Sequence, residues 1–542
     1  MATVAVATVV WTTVVLVVLG VAAAGLASWA GWCQRDPVRL RRRAGTEGWL
    51  GPRDLLVTAG GRAVCRRAGV PGWTRLHPPV AQAGITVGRV VTGPVWMWRR
   101  RVYSPWSQGV LVLGPPGSGK STLLNGAICQ APGAAYVTST KTEPYDRTAD
   151  TRAQVGDVHV FNPTELGGLA STFRWDPVAD CTDPEIADAR ARALVRGGGG
   201  ATGTQNAEFW AGKAAEILRC YLLAAALTGR DMGQVMAWAQ QPDSGEPTAI
   251  LAQRDRAVPE GWRGLLEANL AATANTRTGY FASLLPAVAF MGHAEVARAC
   301  RPSPGQGLDL TRFLQASNTL YVVAGDNEQI APLITALTEA VFAAAKRLAA
   351  TRPGGRLDPG LGLFLDEIAN ITPVPLETWA ADSRGWGITV CAAAQDLAQL
   401  ETRWGRPKAR TIFSNLPTRI VLPGVAQKDD LEELSYLGGQ RWARQTSESH
   451  AATDGGRPRL TRSRSWTREP VAPGHLIHAL PRWHAYVLGV ASKPVIVRFH
   501  PGYRGRGRAA AARAGATDTP RVVELAPPPD ETGTDYGPSQ AA

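Results

Sequence analysis

The chain has 542 residues, 45% of them hydrophobic and 19% charged, and a formal net charge of +13. An apolar share of that size excludes a mainly disordered protein, and the length allows about two to four domains around sizeable cores. The positive excess favours polyanions, either nucleic acid or an anionic membrane face.

Arginine preference adds nothing to that argument, because only seven of the 58 basic residues are lysine in a chain rich in Ala, Gly and Pro, the mark of a coding bias. Seven scattered cysteines without C-x-x-C spacing predict a reduced, cytoplasmic bulk, and eight histidines without an H-E-x-x-H pattern predict no structural metal.

Residues 1–34 carry no charged side chain, and Arg35, Arg39, Arg41, Arg42 and Arg43 follow at once. About 20 apolar residues span a bilayer, so the run predicts one N-terminal transmembrane helix, with residues 1–33 as the anchor. A cleaved signal peptide is the rival, but it would want positive charge ahead of its apolar core. The arginine cluster holds everything after the span in the cytoplasm, which predicts a single-pass protein of the inner (cytoplasmic) membrane. Residues 34–85, broken by "GTEGW", "TAGG" and "GVPGW", read as a loosely structured juxtamembrane connector.

Residues 86–180 read as the first part of a nucleotide-binding domain. "GITVGRVV" and "VYSPWSQGVLVLG" are strand-like, and the second runs into "GPPGSGKST", a P-loop between strand and helix. Backbone N–H groups of Gly117, Ser118, Gly119 and Lys120 can close around a β-phosphate, and the following helix points its positive end there. Lys120 would reach the β/γ-phosphates and Ser121 would ligate Mg²⁺, while Gly114 and Thr122 complete the phosphate-binding run. ATP and Mg²⁺ are therefore the expected ligands. The strands "AAYVTST" and "DVHVFNP" follow, and alternation of strand and helix predicts a doubly wound α/β core.

Residues 181–305 change to helical patterns, among them "EIADARARALVRG", "EFWAGKAAEILRCYLLAAALTG" and "YFASLLPAVAFMGHAEVARAC", which predict an inserted all-α domain. Residues 306–503 return to the nucleotide-binding domain with "NTLYVVAG" and then "LGLFLDEIAN". An apolar strand ending in Asp-Glu has the Walker B form, with Asp366 holding the Mg²⁺ shell and Glu367 polarising the attacking water. Gln395 ends the buried strand "GITVCAAA", where it is either a group touching the γ-phosphate or a surface glutamine capping a helix. Arg384, in the loop before that strand, is either a solvated charge or an arginine finger for a neighbouring subunit. Residues 504–542 read as a disordered tail, basic and then acidic, a solubilising end or a docking segment.

Taken in order, these motifs resemble the coupling-protein ATPases of type IV secretion and conjugation, TraG/TraD-like members of the FtsK/HerA group of ring-forming motors. The resemblance spans residues 84–503 and rests on "GPPGSGKS", "VTSTKTEPYDRTADTR", "VFNP", "FRWDPV", "FWAGKAAEILRCYLLAAA", "LGLFLDEIANI", "SRGWGITVCAAAQDLAQL" and "RTIFSNLPTRIVLPG". It implies a RecA-like P-loop NTPase core and a membrane-anchored homo-hexamer that feeds DNA and relaxase, or other secretion substrates, to the proteins of a secretion channel. It also implies catalytic roles for Glu367, for Arg384 as the arginine finger and for Gln395 as the sensor, and it places Ser121 and Asp366 on the metal. Many members have two transmembrane helices where this chain shows one candidate, and the composition resembles actinobacterial members. Two other functions stay open at this point: an FtsK-like chromosomal DNA translocase, and a receptor for protein substrates with little DNA pumping.

Overall fold

The computed structural model of the protein describes residues 47–98, 100–199, 206–325, 327–451 and 459–500. The expected anchor at residues 1–33 and tail at residues 504–542 lie outside them, and among the described residues no helix is long and apolar enough to cross a membrane.

An 11-stranded mixed sheet organises the chain. Its strands in chain order are β1 (Gly84–Val90), β2 (Arg101–Pro105), β3 (Val110–Leu113), β4 (Ala135–Ser139), β5 (Val158–Phe161), β6 (Thr319–Val323), β7 (Leu361–Leu365), β8 (Ile388–Ala394) and β9 (Thr418–Val421), then β12 (His484–Leu488) and β13 (Val495–Arg498). The order across the sheet is β2-β1-β13-β12-β9-β3-β8-β7-β4-β6-β5. From β9 to β5 every pairing is parallel, and from β9 outward to β2 every pairing is antiparallel. The remaining strands, β10 (Gln440–Ala451) and β11 (Arg459–Pro470), form a separate two-stranded sheet.

The parallel strands read as mostly apolar runs because they are buried on both faces. Every residue of β3, β4, β6, β7 and β8 is buried. Alternate side chains serve different cores: Val110, Val112, Val137, Phe364 and Cys391 pack on one side, while Leu111, Leu113, Tyr136, Leu363 and Ala392 pack on the other. Helices α1 (Lys120–Ile128) and α2 (Glu143–Arg152) belong to the first side, and α6 (Ala331–Ala350) belongs to the second.

Between β5 and β6 every described element is helical, including α3 (Pro184–Gly198), α4 (Ala207–Leu227) and α5 (Ala274–Val288). Helix α3 starts where the sequence says it should, with the Asp183 side chain accepting the Glu185 N–H and Pro184 in the first turn. Helix α4 buries Ile217, Leu218, Cys220, Tyr221, Leu222 and Leu223, continuous with the core on the α6 side of the sheet.

One expectation fails. Residues 47–83 are not loosely structured: Gly61–Arg67 is a helix burying Ala63, Val64 and Cys65, and Trp49 and Leu50 are buried. The Gly and Pro residues there punctuate short helical turns that cover the antiparallel end of the sheet. Tyr103 of β2 packs with Val64 and Cys65. Residues 34–46 lie outside the described chain.

Candidate functional site

The C-terminal end of β3 runs into the phosphate-binding turn. Gly117 and Gly119 take φ of +76° and +108°, in the left-handed region that glycine enters without strain. Gly114 is needed for space, since a Cβ there would stand 2.8 Å from Leu422 Cβ and 2.6 Å from Ser118 Oγ. The turn opens α1 at Lys120, whose Nζ folds back to donate to the Gly114 carbonyl at 2.6 Å and the Pro115 carbonyl at 3.3 Å. Burial pushes the Lys120 ammonium below its ordinary range, while Asp366, Glu367 and Asp396 pull it up.

Two strands away, β7 delivers Asp366 to the same place. Ser121 Oγ donates to Asp366 Oδ2 at 2.8 Å, joining residues 245 apart in sequence. Asp366 is buried, and burial raises its carboxyl above the usual range against the pull of the Ser121 hydroxyl. Its other oxygen, Oδ1, is buried without a partner, as are Ser118 Oγ, Thr138 Oγ1 and both polar atoms of Asn125. Ser121, Asn125, Thr138 and Asp366 line one narrow gap. Buried polar atoms are rarely left unpaired, and the Ser121 hydroxyl and the Asp366 carboxylate, one of whose oxygens has no partner, are oxygen donors suited to Mg²⁺. The residues present fit the ion.

Glu367 follows on a left-handed backbone, φ +49°, at the start of a short helical turn. A non-glycine residue held there costs free energy, a placement that clusters at functional sites. It is only partly buried, beside the fully turned-in Asp366. Thr122 lies in the first turn of α1, partly buried.

Gln395 reaches the same edge. It follows β8, its backbone carbonyl accepts the Gly114 N–H at 3.1 Å, and its own N–H donates to Gln399 Oε1 at 2.9 Å. Arg384 does not reach it. It is exposed in the turn before β8, at the other end of a seven-residue strand, or about 20 Å away along the sheet. Within one chain, Gly114, Gly117, Ser118, Gly119, Lys120, Ser121, Asp366, Glu367 and Gln395 converge and Arg384 stands apart.

Three neighbours of the site escaped the sequence reading. Asp396 caps the helix after β8 by accepting the Gln399 N–H, a signal visible as Asp before an apolar helical run. Phe499 and Trp483 arrive from the antiparallel end, with ring atoms 3.3 and 3.6 Å from the position a Gly119 Cβ would take. Their rings meet edge to face at 5.8 Å, and nothing local in the sequence announces their approach.

Comparison with known proteins agrees with this fold. Residues 360–482 match the family model described as the TraM recognition site of TraD and TraG. No curated protein sequence matches the chain. Among solved structures, the bacterial conjugative coupling protein TrwBΔN70, unbound, is 18% identical with a TM-score of 0.54, covering 83% of this chain and 95% of that one. TrwB with ADP and Mg²⁺ is 19% identical with a TM-score of 0.52, covering 74% and 87%. TrwB with a non-hydrolysable ATP analogue is 19% identical with a TM-score of 0.52, covering 82% and 94%. The chain thus shares the fold of the conjugative coupling protein TrwB, and its residues 360–482 carry the pattern of the TraD and TraG model.

Proposed function

We propose that this protein is a membrane-anchored ATPase that couples ATP hydrolysis to the recruitment and translocation of DNA or relaxase–DNA substrates into a type IV secretion or conjugation channel. The observation that carries the reading is the Ser121–Asp366 contact, which puts a phosphate-binding turn and an acidic strand end at one edge of a parallel sheet. Ligands of such sheets bind outside the carboxyl ends of the strands.

The backbone of Gly117, Ser118, Gly119 and Lys120 would cradle the β-phosphate, Lys120 would leave its two carbonyls for the β/γ-phosphates, and Thr122 would sit under the bound nucleotide. Ser121 and Asp366 would hold Mg²⁺, which supplies charge neutralisation between the β- and γ-phosphates. Glu367 accepts a proton from, and orients, the attacking water, and Gln395 stands where it can sense the γ-phosphate. Arg384 acts on a neighbouring subunit's site in a homo-hexamer, because its own site is out of reach.

The helical stretch between residues 181 and 305 is an inserted all-α domain facing the substrate, its helices α3 and α4 sharing the core on the α6 side of the sheet, and the two flanking parts of the nucleotide-binding domain are residues 86–180 and 306–503. Residues 1–33 anchor the protein in the inner membrane in a single pass. The exposed parts of residues 360–482, outside the buried strands β7 and β8, receive the substrate-side partner, a role supported by the description of the model the segment matches.

Glu367→Gln tests the central claim. The variant is expected to bind ATP as tightly as the parent by titration calorimetry and to hydrolyse it about 10² to 10⁴ times more slowly. Normal turnover in that variant would remove Glu367 from the mechanism.

A further inference from the structure

The β10–β11 ribbon has no part in the nucleotide site. Its twelve-residue strands run in unbroken register from Gln440↔Pro470 to Ala451↔Arg459, with no bulge, an arm about 40 Å long. Its base is fixed: the Val471 N–H bonds the Gly439 carbonyl at 2.9 Å, and Val471 and Ala472 are buried in the core.

The two faces of the described part differ. Residues directly opposite each other share a face. On one face Arg441 stands opposite Glu469, Ala443 opposite Thr467, and Gln445 opposite Ser465. That face is charge-balanced and polar, with the Thr467 hydroxyl donating to Gln445 Oε1 at 3.2 Å. On the other face Trp442 stands opposite Arg468, Arg444 opposite Trp466, and Arg464 comes next. It carries three arginines, two tryptophans and, among the described side chains, no carboxylate.

Both indoles are open to solvent, Trp442 at 53% and Trp466 at 64% exposure. A stacking partner already holds one of the cations, since the Arg468 guanidinium lies 4.9 Å from the Trp442 ring centroid. Stabilising the hairpin explains that single pair. It does not explain three positive charges on one face, whereas the other face sets its Arg441 opposite Glu469.

We propose that the face formed by Trp442, Arg444, Arg464, Trp466 and Arg468 binds single-stranded nucleic acid, the indoles stacking on bases and the guanidiniums meeting phosphates. Interleaved aromatic rings and positive charge are what a single strand requires. The two indoles are diagonal neighbours, about 7–8 Å apart, wider than the stacked rise of 3.4 Å per base. A separation of about twice that rise leaves room for one unstacked base between the rings, which a closed duplex does not offer. The site is separate from the P-loop and stands or falls independently of ATP hydrolysis.

The test is fluorescence anisotropy of the full chain with labelled (dT)30 and with a duplex of equal length. Trp442→Ala/Trp466→Ala is expected to weaken (dT)30 binding about 10-fold or more, since each stacked base contributes substantially, and to leave duplex binding as it was. Trp442→Phe/Trp466→Phe should keep most of the affinity. Arg444→Ala/Arg464→Ala/Arg468→Ala should flatten the slope of log affinity against log salt by about 2, three phosphate contacts at about 0.7 each. ATP hydrolysis without DNA should be unchanged in all three, which also shows that they fold. Parental (dT)30 affinity in the Ala variants would overturn the proposal. So would equal loss of single-strand and duplex binding on removing the indoles. Retained (dT)30 affinity with lost binding of an acidic peptide would assign the face to a protein partner instead.

Discussion

The two edges of the parallel sheet follow opposite rules. At the C-terminal edge, around β3 and β7, buried polar atoms of Ser118, Asn125, Thr138 and Asp366 are left without partners. At the N-terminal edge the largest buried charge is paired on all sides. Arg152, at the end of α2, is 1% exposed and donates to Thr319 Oγ1 at 2.7 Å and to the carbonyls of Ala131, Gly133 and Ser317 at 2.6, 2.8 and 2.9 Å. Those acceptors lie just before or at the start of β4 and β6. One edge leaves polar groups unpaired beside the phosphate-binding turn, and the other uses the same kind of group to clamp the strands. If the proposed nucleotide site is right, the difference separates function from stability within a single sheet.

Arg384 is the exception that tests this division hardest, because it is an exposed cation at the clamping edge. If it works on a neighbour's nucleotide, Arg384→Ala should bind ATP normally and lose about 10³-fold or more in turnover. Lys120→Ala subunits cannot use ATP but can still lend Arg384, so mixing them with Arg384→Ala subunits should restore part of the activity in a steady-state phosphate-release assay. Full activity in the single variant would return Arg384 to a solvated charge and leave the division without exception.

Arg152→Ala should cost about 3 kcal/mol in urea unfolding, because it strands a set of largely buried acceptors. ATP affinity per folded molecule should stay constant. A loss of affinity without a loss of stability would break the contrast between the edges.

Asp176 supplies a reference away from both edges. Burial pushes its carboxyl up to about 6, partly offset by the Val178 N–H it accepts, with Asp231 raising it further and Arg190 and Arg301 lowering it. The folded chain therefore holds that proton more tightly than the unfolded chain does. The stabilisation is present in full at acid pH and disappears as pH climbs from about 4 to about 6. Asp176→Asn keeps the acceptor and removes the ionisation. It should stabilise the protein by about 2 kcal/mol at pH 7.5 and flatten that part of the pH profile of unfolding.

The smallest expected effect is the sharpest for the functional edge. Asn125 is fully buried with neither side-chain polar atom partnered, so Asn125→Leu should raise stability by about 1 kcal/mol. ATP hydrolysis should fall at the same time. Greater stability with unchanged hydrolysis would mean that the unpaired atoms serve nothing.

Much of this molecule is legible in order along the chain. The runs "AAYVTST", "DVHVFNP", "NTLYVVAG", "LGLFL" and "GITVCAAA" each form the strand their composition predicts, because buried parallel strands are mostly apolar and need no partner to be recognised. The glycines of the phosphate-binding turn and the Asp366-Glu367 strand end were equally readable, since their chemistry depends on local backbone and on neighbouring residue types. Misreading residues 47–83 has a local cause too: Gly and Pro mark turns, but they do not say whether the turns between them are packed.

The ribbon was within reach of the same reasoning. "QRWARQTSESH" and "RLTRSRSWTREP" flank an Asp454-Gly455 pair, a hairpin signal, but arginine-rich strands lack the apolar alternation by which strands are usually found.

The sequence by itself determined the elements, the phosphate-binding turn and the acidic strand end, because each is set by interactions between residues close together along the chain. Only the tertiary structure decided which of them meet. Ser121 touches Asp366 across 245 residues, Trp483 and Phe499 close on Gly119 from the far end of the chain, and Arg384 falls at the opposite end of β8 from Gln395. Strand order and direction set those distances, and they follow from burying both faces of one sheet at once, a condition that no single segment contains.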